Sequence, residues 1–320
     1  MTSPTTAGPT HWASVGESGA VLGMWFLYWV NRLFGRWPFR AMLAPVVLYF
    51  VVRNRLARAA SREYLERLEQ HTGALGHTPR WRDTFRHIAL FSETVLDKLL
   101  AIGGRYRFDA LTFEGREVMV ESLKAGRGGV VLTAHMGNLE VLRTAAERRV
   151  GLKLNVLVHT KHAERFNSVL RRLDPTTEVN LLQVTDFSPA TAAMLSERVE
   201  RGEFVVLAGD RVPVSEAGRV AWAPFLGQPA PFPVGPWILA SALKCQVVLL
   251  TALHQGRSYH VCFERFRERV ELPRGQRERA LEELVTGYAQ RLEAQCKRSP
   301  FDWFNFYPFW NSVHGQAKVA

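Results

Sequence analysis

The chain of 320 residues contains few cysteines and no long apolar run. Its cysteines, Cys245, Cys262 and Cys296, show no Cys-x-x-Cys spacing, which excludes a disulfide framework and a zinc site made of cysteines alone. The longest apolar runs cover residues 19–30 and 41–52. Each is about 18 Å long as a helix, whereas the hydrocarbon core of a bilayer is about 30 Å thick. These absences exclude a polytopic transporter and favour a reducing, cytosol-facing location.

Motifs of several large functional classes are absent as well. Neither a Walker A motif nor a nucleotide-binding Gly-x-Gly-x-x-Gly occurs, which disfavours an ATPase or a dehydrogenase. The Gly-x-Ser-x-Gly elbow of many serine hydrolases is missing too. No helix-turn-helix, zinc-finger, KH or RNP pattern is visible, so we expect no nucleic acid partner.

The chain has fewer acidic than basic residues: 30 Asp and Glu compared with 41 Lys and Arg, which gives a formal net charge of +11. Such a surface attracts anionic lipid headgroups or an acidic partner protein. Apolar residues make up 47% and charged residues 22% of the chain, which is ordinary for a globular protein and excludes intrinsic disorder.

The sequence predicts three regions. Residues 1–14 are small and polar and are expected to be disordered, residues 15–60 carry the apolar runs, and residues 61–320 form the main domain. Tryptophans beside arginines in the second region are typical of a membrane interface. They are Trp25, Trp29 and Trp37. The runs are either buried helices of a soluble core or a membrane-associating hairpin that dips into or spans the bilayer. A cluster of arginines follows and would place the remainder in the cytoplasm.

Short apolar runs alternate with helical patterns in the main domain, which predicts an α/β fold with a mostly parallel central sheet flanked by helices. The expected strands are 129–134, 154–158, 179–184, 204–208, 245–250 and 259–263. The expected helices are 61–70, 82–102, 138–148, 162–173, 190–201, 234–243 and 276–298.

Ligands of such sheets bind beyond the carboxyl ends of the strands. His135 and Glu140 follow the first expected strand, and a histidine beside a carboxylate can act as a general base on a hydroxyl. Gly137 between them permits close backbone approach, and Asn138 is a candidate helix N-cap. The pair His159/Glu164 has the same spacing but lacks the glycine.

Residues 130–140, Val-Val-Leu-Thr-Ala-His-Met-Gly-Asn-Leu-Glu, resemble the His-x-Gly-Asn-Trp-Glu block of bacterial lipid A late (lauroyl/myristoyl) acyltransferases, within the glycerolipid (lysophospholipid) acyltransferase superfamily. Further similar segments are Ala208–Arg211, the "PFFG"-like Ala223–Ala230, and Pro300–Tyr307. Leu139 replaces the usual Trp of the block, and the aromatic C-terminal segment is more similar to an aryl-polyene-cluster subgroup. The aromatic segment is either a core lid or a membrane-facing patch.

The resemblance implies a role for each matching residue. His135 would deprotonate the acceptor hydroxyl, Glu140 would orient and polarise His135, and backbone N–H groups around Gly137 and Asn138 would stabilise the oxyanion. Asp210 would lie at the same site. Arg211 would hold a phosphate of the acceptor or of the phosphopantetheine arm, and Lys161 and Arg165 would meet a phosphate or the carrier protein. No metal and no cofactor are implied beyond the co-substrate, acyl carrier protein or coenzyme A carrying the acyl group.

The sequence therefore predicts a membrane-associated O-acyltransferase that moves an acyl group from a thioester to a hydroxyl of a lipid A-like or other glycolipid acceptor. The expected partners are acyl carrier protein and anionic membrane lipid, and the expected location is the cytoplasmic face of the bacterial inner membrane. The alternatives are a lysophospholipid acyltransferase, a thioesterase that uses water as the acceptor, and a catalytically silent membrane- or carrier-protein-binding module.

Overall fold

A seven-stranded sheet forms the centre of the protein, in the order β1-β9-β8-β2-β5-β3-β4. The computed structural model describes residues 29–150, 152–158, 181–183, 189–212, 219–256 and 258–311. Neighbouring strands are parallel except for the antiparallel pair β8–β9. The strands are β1 (Thr112–Glu114), β2 (Gly129–Thr133), β3 (Leu154–Val158), β4 (Leu181–Gln183), β5 (Phe204–Ala208), β8 (Gln246–Gln255) and β9 (Ser258–Arg267). The prediction of a mostly parallel sheet is confirmed.

Helices flank this sheet. They are α1 (Arg36–Arg53), α2 (Arg55–Thr72), α3 (Trp81–Ile102), α4 (Arg116–Lys124), α5 (Leu139–Val150), α6 (Pro189–Glu200), α7 (Gly235–Leu243) and α8 (Arg277–Arg298). Six of the seven predicted helices are found with small shifts of their ends. The predicted helix 162–173 lies outside the described residues.

Local chemistry sets several helix ends. The side chain of Asn54 caps α2 by accepting a hydrogen bond from the backbone N–H of Ala57 at 2.9 Å. The same helix ends at Gly73, whose φ of 64° few other residues adopt. At the start of α3, the Asp83 carboxylate accepts a bond from the Arg80 backbone N–H at 2.7 Å.

Strand β1 was not predicted, and two further strand regions differ from the sequence prediction. Strands β8 and β9 are ten residues each and form one antiparallel hairpin, longer than the expected runs. The "PFFG"-like segment Ala223–Ala230 is the tip of a second hairpin, β6 (Val220–Phe225) and β7 (Gln228–Pro233), which is not among the expected strands. Its turn residues Leu226 and Gly227 both have positive φ, which suits the twist of a two-residue hairpin.

Apolar clusters cover both faces of the sheet. One lies between the sheet, α7, α8 and the C-terminal segment, which we define as residues 299–310. The other lies between the sheet and the α4–α5 side. The aromatic C-terminal segment belongs to the core, since Trp303, Phe309 and Trp310 are all buried. Of the two interpretations left open by the sequence, a core lid is the one observed.

The apolar run 41–52 lies in α1, which packs on α3 through one stripe: Phe39, Leu43, Val47 and Val51 are buried at a spacing of four residues. Among the described residues, no helix combines the length and the apolar character needed to cross a bilayer. Most of the first run, 19–30, lies outside the described residues. Helix α2 runs through the expected domain boundary at residue 60.

Candidate active site

The sheet brings together two residues that are 75 positions apart in the chain. Strands β2 and β5 are parallel neighbours in which Thr133 pairs with Ala208, and each strand ends at that residue. His135 and Asp210 each follow two residues later, so they meet at the carboxyl edge of the sheet. The Nδ1 atom of His135 lies 2.8 Å from Oδ1 of Asp210, and the His135 backbone N–H donates to Oδ2 at 3.0 Å.

A third donor completes the environment of the Asp210 carboxylate. The indole N–H of Trp303, in the C-terminal segment, donates to Oδ2 at 2.9 Å. Asp210 is only 1% exposed. Burial by itself raises the pKa of this carboxyl group, but the His135 imidazole and the Arg211 guanidinium lower it to about 2. Asp210 is therefore a carboxylate throughout the physiological pH range.

The second nitrogen of His135 faces a more open side. An ionised carboxylate only accepts, so Nδ1 carries the proton and Nε2 has a lone pair. Within the described residues, no hydrogen bond to Nε2 is present, and 39% of the His135 side chain is exposed. Burial and the Arg211 charge lower the pKa of His135, while Asp210 opposes that change. The imidazole is thus neutral, oriented and accessible, as a general base requires.

Glu140 does not make the expected contact with His135. It lies in the first turn of α5, and its Oε1 accepts a hydrogen bond from Nε of Arg143 at 2.6 Å. Lys98 of α3 lies 3.5 Å from the other carboxylate oxygen. Burial raises the pKa of Glu140, but Lys98 and Arg143 together lower it below its usual value. The carboxylate that orients His135 is Asp210, because α5 directs Glu140 toward these two cations.

Polar groups of the turn between β2 and α5 are already hydrogen-bonded to other parts of the protein. The N–H of Gly137 donates to the carbonyl of Asp302 at 2.9 Å, so this N–H is already engaged and does not have the free position expected of an oxyanion donor. Asn138 caps α5 as predicted, accepting a bond from the Val141 backbone N–H at 3.2 Å. Its amide N–H₂ donates to the carbonyl of Thr94 at 3.0 Å. Both residues shape the turn that presents His135.

Two cations lie close enough to His135 to lower its pKa, Arg211 and Lys98. Arg211 donates to the carbonyl of Phe304 at 3.1 Å and lies over the ring of Tyr307. Asp210 and Arg211 therefore lie beside His135, and their roles stay a prediction. Lys98 was not predicted, because nothing in the sequence links α3 to this edge of the sheet. Lys161 and Arg165, like His159 and Glu164, lie outside the described residues.

Residues 85–312, more than two thirds of the chain, match the family described as Bacterial lipid A biosynthesis acyltransferase. The chain belongs to this family. The matched range includes His135, Asp210 and Trp303 as well as Glu140. No curated protein matches the chain. The aryl-polyene subgroup stays a prediction.

A second histidine–aspartate pair lies beside the first in this acyltransferase. His254 near the end of β8 binds the Asp302 carboxylate through Nδ1, and its backbone N–H donates to Oδ2 at 2.7 Å. Its Nε2, however, lies 3.4 Å from the Thr94 hydroxyl, and the side chain is only 14% exposed. Because both nitrogens face protein groups, His254 is poorly placed to accept a substrate proton. The sequence did not predict this pair. Its one indication was Asp302, which lies in the C-terminal segment that resembles the family.

One group of possible metal ligands occurs among the described residues: Glu114, His260 and Cys262. The Arg298 guanidinium already binds the Glu114 carboxylate at 2.8 Å and lies 3.4 Å from the Cys262 sulfur. A bound cation at this position would meet the arginine charge, so the cluster is better described as an ion pair with a hydrogen-bonded histidine.

Replacing Gly137 by alanine is expected to disrupt the turn. Its φ is +60°, and an added Cβ would overlap the Ala252 carbonyl oxygen, which cannot move without breaking the sheet. We expect Gly137→Ala to lower the free energy of unfolding by more than about 3 kcal/mol. Gly76→Ala is the matched control, with φ +69° but open space around the new Cβ, and should cost about 1–2 kcal/mol. Equal losses in thermal or urea unfolding would contradict this account.

The activity of this acyltransferase should fall on the acid side at a pH below 6.5. His135 accepts a proton only while it is neutral, and burial together with Arg211 lowers its pKa from 6.5. Activity is therefore retained as the pH falls through 6.5 and is lost as it passes the lower pKa of His135. The pH dependence of kcat/KM measures this limb. A limb centred above pH 6.5 would contradict the assignment.

Proposed function

We propose that the protein is a membrane-associated O-acyltransferase that moves a fatty acyl group from an acyl thioester, with acyl carrier protein as the donor, to a hydroxyl of a lipid A-like or other glycolipid acceptor. The observation that carries the proposal is the His135 imidazole, held through Nδ1 by Asp210 and open at Nε2, in a chain of the lipid A acyltransferase family. Such a base performs transfer to a hydroxyl without a covalent acyl-enzyme.

The reaction follows from this arrangement. As the acceptor oxygen attacks the thioester carbonyl carbon, its proton passes to Nε2 of His135, and Asp210 stabilises the imidazolium that forms. A C–O bond forms and the C–S bond then breaks. The proton on Nε2 passes to the departing sulfur, which leaves as a free thiol. The products are an ester and the unloaded carrier, and His135 is neutral again.

The two carboxylates have different roles in this proposal. Asp210 touches the base and sets its tautomer. Glu140 holds Lys98 on the His135 side of α3, where the ammonium helps to keep the imidazole neutral. In this scheme the charges of Lys98 and Arg211 attract a phosphate of the acceptor or of the phosphopantetheine arm, or the oxyanion of the thioester carbonyl.

The outer face of α1 supports docking on a membrane. Outside its buried stripe, the surface of this helix is largely apolar and exposed, with Trp37 80% and Tyr49 67% exposed. Further exposed apolar residues of this surface and of the helical residues 29–34 before it are Leu33, Phe34, Met42, Val46, Leu48, Phe50 and Val52. Contiguous exposed apolar surface of this kind is rare on monomeric soluble proteins. Two exposed arginines at its end, Arg53 and Arg55, carry the positive charge that an anionic leaflet attracts. We propose that this face docks on the cytoplasmic side of the inner membrane.

The decisive test is expression of the wild type and His135→Ala in a Gram-negative host, followed by mass spectrometry of the total lipids. We expect a lipid heavier by one acyl group only with the wild type, and its mass identifies the acyl chain and the acceptor. Asp210→Asn should lower the rate about a thousandfold or more, because the amide no longer selects the productive tautomer. Glu140→Gln should be milder, since Glu140 acts through Lys98.

His260→Ala is the matched control, because His260 lies on β9 and binds Glu114 rather than the site. An unchanged product with His135→Ala would overturn the proposal. Free fatty acid in place of a new ester would show a thioesterase. A loss with Glu140→Gln but not with Asp210→Asn would reverse the roles of the two carboxylates.

Membrane docking is tested by sedimentation with vesicles. Trp37→Ser combined with Tyr49→Ser should weaken binding to phosphatidylglycerol-containing vesicles at least about tenfold, because each side chain loses apolar area buried in the interface. Phe113→Ser on the sheet edge, 45% exposed in the wild type, is the control and should leave binding unchanged. Binding should also fall with salt, owing to the arginines. Equal binding by the double variant and the control would contradict the assignment of this face.

A further inference from the structure

The C-terminal segment is hydrogen-bonded along the whole turn that carries His135. The carbonyl of Asp302 accepts the Gly137 N–H at 2.9 Å, and the N–H of Phe304 donates to the His135 carbonyl at 2.9 Å. Between them, Met136 and Trp303 form an antiparallel bridge. Three successive residues of the segment thus match three successive residues of the turn. The backbone of the proposed base is fixed by a stretch of chain more than 160 positions away.

The side chain of Trp303 has one polar atom, and the surrounding rings determine its direction. Trp303 is 1% exposed. Edge-on contacts with Tyr64, Phe225 and Phe309, at centroid separations of 5.0–5.2 Å, surround the indole. Rings packed in this way do not change rotamer without opening the core. The indole N–H therefore stays aimed at Oδ2 of Asp210, 2.9 Å away.

The neighbouring His254–Asp302 pair repeats the arrangement. In both pairs one carboxylate oxygen faces Nδ1 of the histidine, and the other accepts the backbone N–H of the same histidine. In both, that second oxygen also accepts a bond from the C-terminal segment: the Trp303 indole in one, and the Ser299 hydroxyl at 2.6 Å in the other. The third donor is thus a repeated feature of the two pairs.

We propose that Trp303 is a positioning residue for acyl transfer: its indole N–H fixes the rotation of the Asp210 carboxylate, and through it the orientation and tautomer of His135. The inference rests on the proposed role of His135 as the base. Trp303 itself touches neither the acceptor nor the thioester in this scheme. Its loss is expected to slow the chemical step and to leave donor binding nearly intact.

A kinetic comparison of Trp303→Phe with Trp310→Phe tests this role. Phenylalanine keeps an aromatic ring in the core and removes only the N–H and one fused ring. Trp310 belongs to the same cluster, but its N–H lies 3.4 Å from the Phe225 carbonyl and has no link to Asp210. Thiol release from dodecanoyl-acyl carrier protein, with a lipid A precursor as the acceptor, reports the rate. Trp303→Phe should lower kcat about tenfold to a hundredfold, as expected for losing a hydrogen bond to a charged group.

The Michaelis constant for the donor should stay within about twofold of the wild-type value, because Trp303 supports the transition state through the base rather than binding the donor. Trp310→Phe should retain both constants. Equal effects of the two substitutions on kcat would mean that Trp303 only packs, and would overturn the inference. If Trp303→Phe does not fold, benzothienylalanine at position 303, which replaces the N–H by sulfur in a ring of the same shape, gives the same test.

A measurement that does not depend on activity separates this inference from the proposed function. The indole N–H resonance of Trp303, identified by its loss in Trp303→Phe, should move when Asp210 is replaced by Asn, while the Trp310 resonance stays in place. An unmoved Trp303 resonance would overturn the hydrogen bond and the inference with it. A moved resonance together with full activity of His135→Ala would instead uphold the geometry and reject His135 as the base.

Discussion

The buried carboxylate of Asp210 imposes the constraint on which the rest of the site depends. A charge at this depth is tolerated only when donors surround it, because burial without them costs several kcal/mol. Two N–H groups of His135 and the indole of Trp303 meet that requirement. Satisfying one carboxylate thereby aligns the end of β5, the turn after β2 and the C-terminal segment. The same bonds that stabilise the charge also determine which nitrogen of His135 is available for chemistry.

The N-terminal helices are connected to this site through the C-terminal segment. His87 of α3 is fully buried, and its Nε2 lies 2.9 Å from the Trp303 carbonyl while its Nδ1 lies 2.9 Å from the Ser61 hydroxyl of α2. Burial lowers the pKa of His87 to about 4, so it stays neutral. The Tyr64 hydroxyl donates to the Pro300 carbonyl at 2.9 Å. Helices α2 and α3, against which the helix with the exposed apolar face lies, thus support the segment that contacts the His135 turn.

Local patterns in the sequence predicted most of the helices and strands. They also predicted that His135 and Asp210 lie at the same edge of the sheet, but not which residues contact them. The strand 204–208 and the helix 82–102 were found almost residue for residue, since each depends on its own periodicity of apolar residues. The positions of His135 and Asp210 at strand ends followed from the rule for parallel sheets. The expected contact between Glu140 and His135 is not observed. Glu140 is near His135 in the chain, but nearness in sequence does not determine where a side chain points. Because α5 begins at Leu139, the Glu140 carboxylate points toward Lys98 and Arg143.

The sequence by itself determined the fold class, the family and the position of the candidate base His135, because these depend on short-range patterns and on a motif that lies within eleven residues, 130–140. Only the tertiary structure decided which groups surround that base. The pairing with Asp210 depends on the register of β2 with β5, and the indole of Trp303 reaches it through a bridge to Met136. Lys98 lies on α3, which is distant in sequence from residues 130–140. Contacts between distant segments follow from how strands align and how side chains fill the core, and no local spacing encodes them.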